Sequence, residues 1–192
     1  MFPSKIIRDR WGYLQAPELE ALKQCIDTLP FGSTCVNIGA GFGTSGLAFI
    51  ESKNVDALFT VDKFRFEKDN GLGSLEVEER VFKEFGFDKD YRYHSICGDS
   101  AEVGKVWQYF HCDILKIDMI FIDGDHSYEQ CKADILAWLP NMKKGGIMSF
   151  HDYGPEDGLQ GVSTAVDEIL VNKYEKIAHA KAFAAFRIML NE

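Results

Sequence analysis

Residues 34–46, Thr34-Cys-Val-Asn-Ile-Gly-Ala-Gly-Phe-Gly-Thr-Ser-Gly46, decide how the rest of the chain is read. The run to Ile38 is short and carries β-branched Thr34, Val36 and Ile38, which reads as a buried strand. Glycines at 39, 41, 43 and 46 then let the chain turn tightly and let a ligand approach backbone N–H groups at a helix start. A small-residue helix is expected from about Thr44 to Ser52.

The same alternation repeats along the chain. Upstream, Pro17 opens a helix whose Leu19, Leu22, Ile26 and Leu29 fall at helical spacing, and the first 16 residues look irregular. Downstream, strands are expected at 56–61, 92–97, 117–122 and 146–150, with helices at 75–85, 101–110, 127–139 and 162–170. Two last strands are expected near 174–179 and 185–190. Continuous apolar strands alternating with helices imply an α/β fold, a Rossmann-like doubly wound sheet with mostly parallel strands and right-handed crossovers. The last strand is expected to run antiparallel. One domain spans 1–192, with an N-terminal segment and helix (1–30) before the core (31–192).

Composition agrees. The chain has 192 residues, 46% hydrophobic and 27% charged, an ordinary balance for a folded chain. A net charge of −9 disfavours a grip on nucleic acid. No apolar run is long enough to span a membrane, and the N-terminus does not read as a secretory signal. The five cysteines at 25, 35, 97, 112 and 131 include no CxxC pair. They read as reduced, mostly buried thiols in a cytoplasmic protein. Trp11, Trp107 and Trp138 read as packing residues.

Ligands of such sheets bind beyond the carboxyl ends of the strands, where strand order switches. After the first strand, Gly41-x-Gly43-x-x-Gly46 fits a dinucleotide turn, and Gly39-x-Gly41-x-Gly43 fits the turn of nucleoside-linked methyl donors. After the second stands Asp62, a carboxylate suited to both ribose hydroxyls. After the third stand Asp99 and Ser100, which either cap the next helix or face an adenine. After the fourth comes Asp123-Gly-Asp-His-Ser-Tyr128, and after the fifth Phe150-His-Asp-Tyr153. If those two strands are neighbours, Asp123 and Asp152 converge on one hard cation. A nitrogen from His151 or His126 tilts the preference toward a transition metal. The alternative is that Asp125 or Ser127 caps a helix and His151 packs in the core.

These stretches resemble class I S-adenosylmethionine-dependent methyltransferases, and above all the small metal-dependent sugar and antibiotic O-methyltransferases with an Asp-x-Asp-His-x-Tyr element. The resemblance runs from about Thr34 to Leu170. It is most specific in Phe121-Ile-Asp-Gly-Asp-His-Ser-Tyr-Glu129 and Gly145-Gly-Ile-Met-Ser-Phe-His-Asp-Tyr153. It implies that Asn37, Gly39, Gly41 and Gly43 approach the methionine part of the donor. Asp62 would hold its ribose, and Asp99 and Ser100 its adenine. Asp123, His151 and Asp152 would hold a divalent metal, Mg or Mn, and His126 would act as general base beside Asp123. Two positions depart from the family pattern. Asn37 stands where relatives carry an acid, and His151 where many place a carboxylate ligand.

The function implied is metal-assisted O-methylation of a hydroxyl on a small molecule, such as a sugar. An imidazole is the kind of side chain that suits proton removal near neutral pH. The short N-terminal segment implies an acceptor pocket that is open or completed by a second subunit, a homodimer. Loops 64–74 and 153–161 flank the site as candidate lids. Two other readings stand beside this one: a catalytically silent donor-binding or interaction domain, and a nicotinamide-dependent oxidoreductase using the second glycine spacing.

Overall fold

The computed structural model describes residues 3–11, 13–64, 75–87, 90–111, 116–154 and 160–189. All but Phe64 of the loop assigned to 64–74, most of that at 153–161, the side chain of Trp11 and Cys112 lie outside them.

The strand and helix segments form where the sequence places them. The helices are α1 (Pro3–Trp11), α2 (Ala16–Asp27), α3 (Thr44–Ile50), α4 (Leu75–Glu84), α5 (Ser100–His111), α6 (Tyr128–Trp138) and α7 (Gln160–Val166). The strands are β1 (Ser33–Ile38), β2 (Val55–Asp62), β3 (Tyr93–Cys97), β4 (Ile117–Ile122), β5 (Met142–Phe150), β6 (Glu175–Ala180) and β7 (Phe183–Arg187). A wider π-type turn, Asp167–Val171, prolongs α7.

The strands form one sheet in the order β3-β2-β1-β4-β5-β7-β6. Every pairing from β3 to β5 is parallel, and β7 runs antiparallel to both neighbours. The order therefore switches between β1 and β4, which places the ligand-binding edge at their carboxyl ends. The central strands are buried on both faces because alternate residues enter two cores. Val36, Ile38, Ile120 and Ile122 pack with Trp107 and Trp138 in one. Cys35, Met119 and Phe121 pack with Leu22, Phe49 and Phe82 in the other. Trp107 and Trp138 are thus packing residues, and Cys25, Cys35 and Cys131 are buried free thiols, while Cys97 is exposed. No helix among the described residues is long and apolar enough to cross a membrane.

One expectation fails. The first 16 residues are not irregular: α1 occupies nine of them. Its first turn is tied to Glu51, whose carboxylate accepts from the Ser4 backbone N–H at 2.5 Å and the Ser4 hydroxyl at 2.8 Å, while Lys23 pairs with it at 2.5 Å. A carboxylate at a helix N-terminus satisfies free N–H groups and favours the helix dipole. Here it comes from 47 residues away, so no local pattern announces the helix.

Candidate active site

The sheet's hydrogen bonding continues one residue past four strands. Gly98 N–H donates to Asp62 O, Gly39 N–H to Val61 O, Asp123 N–H to Ile38 O and His151 N–H to Ile122 O, all at 2.9–3.1 Å. This sets Asp62, Gly39, Asp123 and His151 in a row along one rim. At the switch point the packing is closest. A Cβ on Gly39 would lie 1.9 Å from the Asp123 carbonyl oxygen, and its φ is 88°, so no other residue fits there.

On the β4–β5 side, acids and imidazoles crowd together. His126 Nε2 is 3.1 Å from Asp152 Oδ2. His151 Nδ1 is 3.2 Å from Asp123 Oδ1 and 3.1 Å from Asp152 Oδ2. Behind the ring, His151 Nε2 faces Glu18 Oε2 at 3.3 Å. Burial alone would lower the His151 pKa, but the carboxylates of Asp123, Asp152 and Glu18 outweigh it and push it up to about 12. Burial would raise Asp152, yet the facing His151 holds it below the ordinary carboxylate range. Asp152 has φ 56°, a left-handed backbone that an aspartate tolerates at a small cost. The bend turns its carboxylate toward both histidines.

Asp123, His126 and Asp152 each offer one ligating atom, and these atoms lie within 4.8 Å of one another. Oδ2 of Asp152 is buried and accepts no well-aligned hydrogen bond. Two carboxylates with an imidazole make a mixed oxygen and nitrogen donor set, which fits a divalent cation of the manganese type. The sequence singled out His151 as the nitrogen ligand. The structure brings both histidines to the pair, His151 buried and His126 exposed. Asp125 is structural, since its Oδ1 accepts from Ser127 N–H at 2.8 Å, and Ser127 caps α6.

On the β1–β3 side the expected donor-binding residues are already engaged. Asp62 accepts from Ala40 N–H through Oδ2 and from Phe64 N–H through Oδ1, each at 2.7 Å. Asp99 accepts from Glu102 N–H at 3.2 Å, which makes it a cap of α5, and pairs with Lys63 at 2.8 Å. That lysine holds its carboxyl below the usual range. Ser100 donates to Asp134. Asn37 is fully buried and donates to Gly39 O at 3.2 Å; its Oδ1 has no partner.

Two cavities meet at this rim. A smaller one, about 320 Å³, is lined by Asp62, Lys63, Gly98, Ser100 and Gln130 among others. A larger one, about 610 Å³, is lined by Tyr13–Gln15, Glu18, Phe42, His126, His151 and Asp152 among others. Both are walled by Tyr13, Gly39, Gly41, Asp123 and Gly124. Asn37, Gly43 and Asp99 line neither. Sequence reasoning missed Tyr13, Gln15 and Glu18. The pattern Gln15-x-x-Glu18 was visible, but it also satisfies a helix capping box, which it forms.

The family model "Methyltransferase domain" matches residues 36–153, more than half of the chain. No curated protein matches. Among solved structures, the calicheamicin methyltransferase CalS11 superposes with a TM-score of 0.64 at 18% identity, over 88% of this chain and 76% of that one. The O-methyltransferase NovP gives 0.68 at 18% identity, over 90% and 79%. MycE, a methyltransferase of mycinamycin biosynthesis solved with Mg, SAH and mycinamycin VI, gives 0.64 at 15% identity, over 97% and 54%. At these identities the likeness concerns the fold.

Proposed function

The chain belongs to the class I S-adenosylmethionine-dependent methyltransferase family, and on that premise we propose that it methylates a hydroxyl oxygen of a small molecule, such as a sugar, with help from a divalent cation. The observation that carries this reading is the seam between the two cavities. Asp123 walls both, and the Asp123–His126–Asp152 cluster borders the larger. Among the described residues β4, β5, β7 and β6 all join the one sheet, which favours the methyltransferase reading over a nicotinamide enzyme with a separate substrate half.

The donor's adenosine then occupies the smaller cavity, with its ribose on the free lone pairs of Asp62, and its methionine part lies over Gly39 and Gly41. The acceptor enters the larger cavity. Its hydroxyl oxygen attacks the sulfonium methyl in line; the new C–O bond forms as the C–S bond breaks, and the thioether leaves. His126, half exposed toward the cavity, takes the hydroxyl proton. Asp152 holds that ring 3.1 Å away and favours the imidazolium that results. Asp123 and Asp152 would hold a divalent cation, whose positive charge would lower the pKa of the acceptor hydroxyl. The larger contribution of the chain is to hold donor carbon and acceptor oxygen in attack geometry. The Mg and mycinamycin VI bound in the MycE structure, and the description of CalS11 as a calicheamicin methyltransferase, support the cation and the small-molecule acceptor.

Calorimetric titration with S-adenosylmethionine tests the donor. Binding is expected in the wild type and should weaken about 10–100-fold in Asp62→Ala, the loss of charged hydrogen bonds. No binding at millimolar donor ends the donor assignment. Assay against hydroxylated acceptors with and without chelator tests the cation, and turnover indifferent to chelator removes it from the mechanism.

A further inference from the structure

Glu18 is wholly buried, comes from α2, and has no part in the reading above. Its Oε1 accepts from Ala182 N–H at 3.0 Å, and its Oε2 accepts from Gln15 N–H at 2.6 Å while facing His151 Nε2 at 3.3 Å. The opposite ring nitrogen, Nδ1, faces Asp123 and Asp152 at 3.2 and 3.1 Å. Two ligands at right angles on a metal, each about 2.1 Å from it, stand about 3 Å apart. The two distances from Nδ1, 3.2 Å to Asp123 Oδ1 and 3.1 Å to Asp152 Oδ2, fit both hydrogen bonds and adjacent ligands of one cation. Ligating histidines hold their other N–H on a carboxylate, which fixes the tautomer and the ring direction.

We propose that Glu18 is a positioning residue: it takes the Nε2–H of His151 and so aims Nδ1 with Asp123 and Asp152 at one transition-metal ion. The inference rests on the cation of the preceding section. It assigns the nitrogen ligand to buried His151 and leaves exposed His126 for the proton. Because Glu18 also fixes Gln15, the same carboxylate ties the wall of the acceptor cavity to the cation.

A double-mutant cycle on Mn²⁺ affinity, read by the loss of the free-ion electron paramagnetic resonance signal, tests this. Glu18→Gln should weaken Mn²⁺ binding about 10–100-fold. His151→Asp puts an oxygen at the δ position of Nδ1 and removes the ring that reaches Glu18. In that background Glu18→Gln should change affinity by no more than about threefold, well inside the range expected of the ring partner. Equal losses in both backgrounds mean a purely structural Glu18 and overturn the proposal, as does no loss in the wild-type background. Wild-type protein that binds no Mn²⁺ overturns the cation itself, while donor titration still stands or falls separately. If the Glu18 variant does not fold, ¹⁵N spectra of histidine-labelled wild type with Zn²⁺ decide: His151 protonated at Nε2 supports the assignment, and protonation at Nδ1 overturns it.

Discussion

Two glutamates in this molecule are equally hidden from water, yet their carboxyl pKa values shift in opposite directions. Glu18, under the larger cavity, is held below the ordinary carboxylate range: burial would raise it, but His151 and two backbone N–H groups outweigh burial. Glu78 lies on α4, against the start of α3. Burial pushes its pKa up to about 7, and the Tyr93 hydroxyl, 2.5 Å from Oε2, only partly compensates. Its Oε1 has no hydrogen-bond partner among the described residues. Burial thus raises a carboxyl toward neutrality, and an imidazole with N–H donors offsets that shift. The rim of β4 and β5 pairs its buried carboxylates with an imidazole; the layer beneath α3 leaves Glu78 without one.

The contrast breaks first at Asp152. Asp152→Asn keeps the left-handed backbone that Asn also tolerates, and removes the charge facing two imidazoles. Methyl transfer should fall about 10³-fold, several kcal/mol of lost charge stabilisation, with little change in donor affinity and a fall in stability of only about 1–2 kcal/mol near neutrality. Steady-state kinetics beside a melting curve checks this; a loss of stability without loss of turnover would reverse the roles of the two regions.

Glu78 sharpens the other half. Its folded pKa stands above the unfolded value of about 4.5, so folding binds a proton between pH 4.5 and about 7. Stability contributed by the protonated group is full below that window and is lost as pH rises through it. Glu78→Gln lacks this loss. Its stability relative to wild type should therefore rise by about 3 kcal/mol from pH 4 to pH 8 in denaturant melts. A flat difference would mean that Glu78 stays ionised. Glu18 has the opposite sign: a lowered pKa gives stability present above the unfolded value and lost as pH falls through the folded one. Glu18→Gln should cost about 1–2 kcal/mol near neutrality, with the gap closing in acid below pH 4.5.

The reach of the sequence follows from distance along the chain. The parallel sheet was legible because its strands are local apolar runs, and Asp123 and Asp152 were legible because each follows a strand whose neighbour alternation fixes. The antiparallel last strand, β7, was likewise anticipated. Glu18 was not, because its partner His151 is 133 residues away and a local capping role already accounted for it. Nor was α1, capped by Glu51 from across the fold. The internal bonds of Asp62 and Asp99 were hidden for the same reason: turn geometry decides which backbone N–H a carboxylate meets.

In the proposed mechanism, donor methyl and cation meet at the seam of the two cavities. The direct measurement is the nuclear magnetic resonance of S-adenosylmethionine carrying a ¹³C-labelled methyl group, bound to the protein and titrated with Mn²⁺. Strong paramagnetic broadening of that one resonance, abolished in Asp152→Asn, is the predicted result. A bound donor whose methyl signal stays sharp at saturating Mn²⁺ would contradict it.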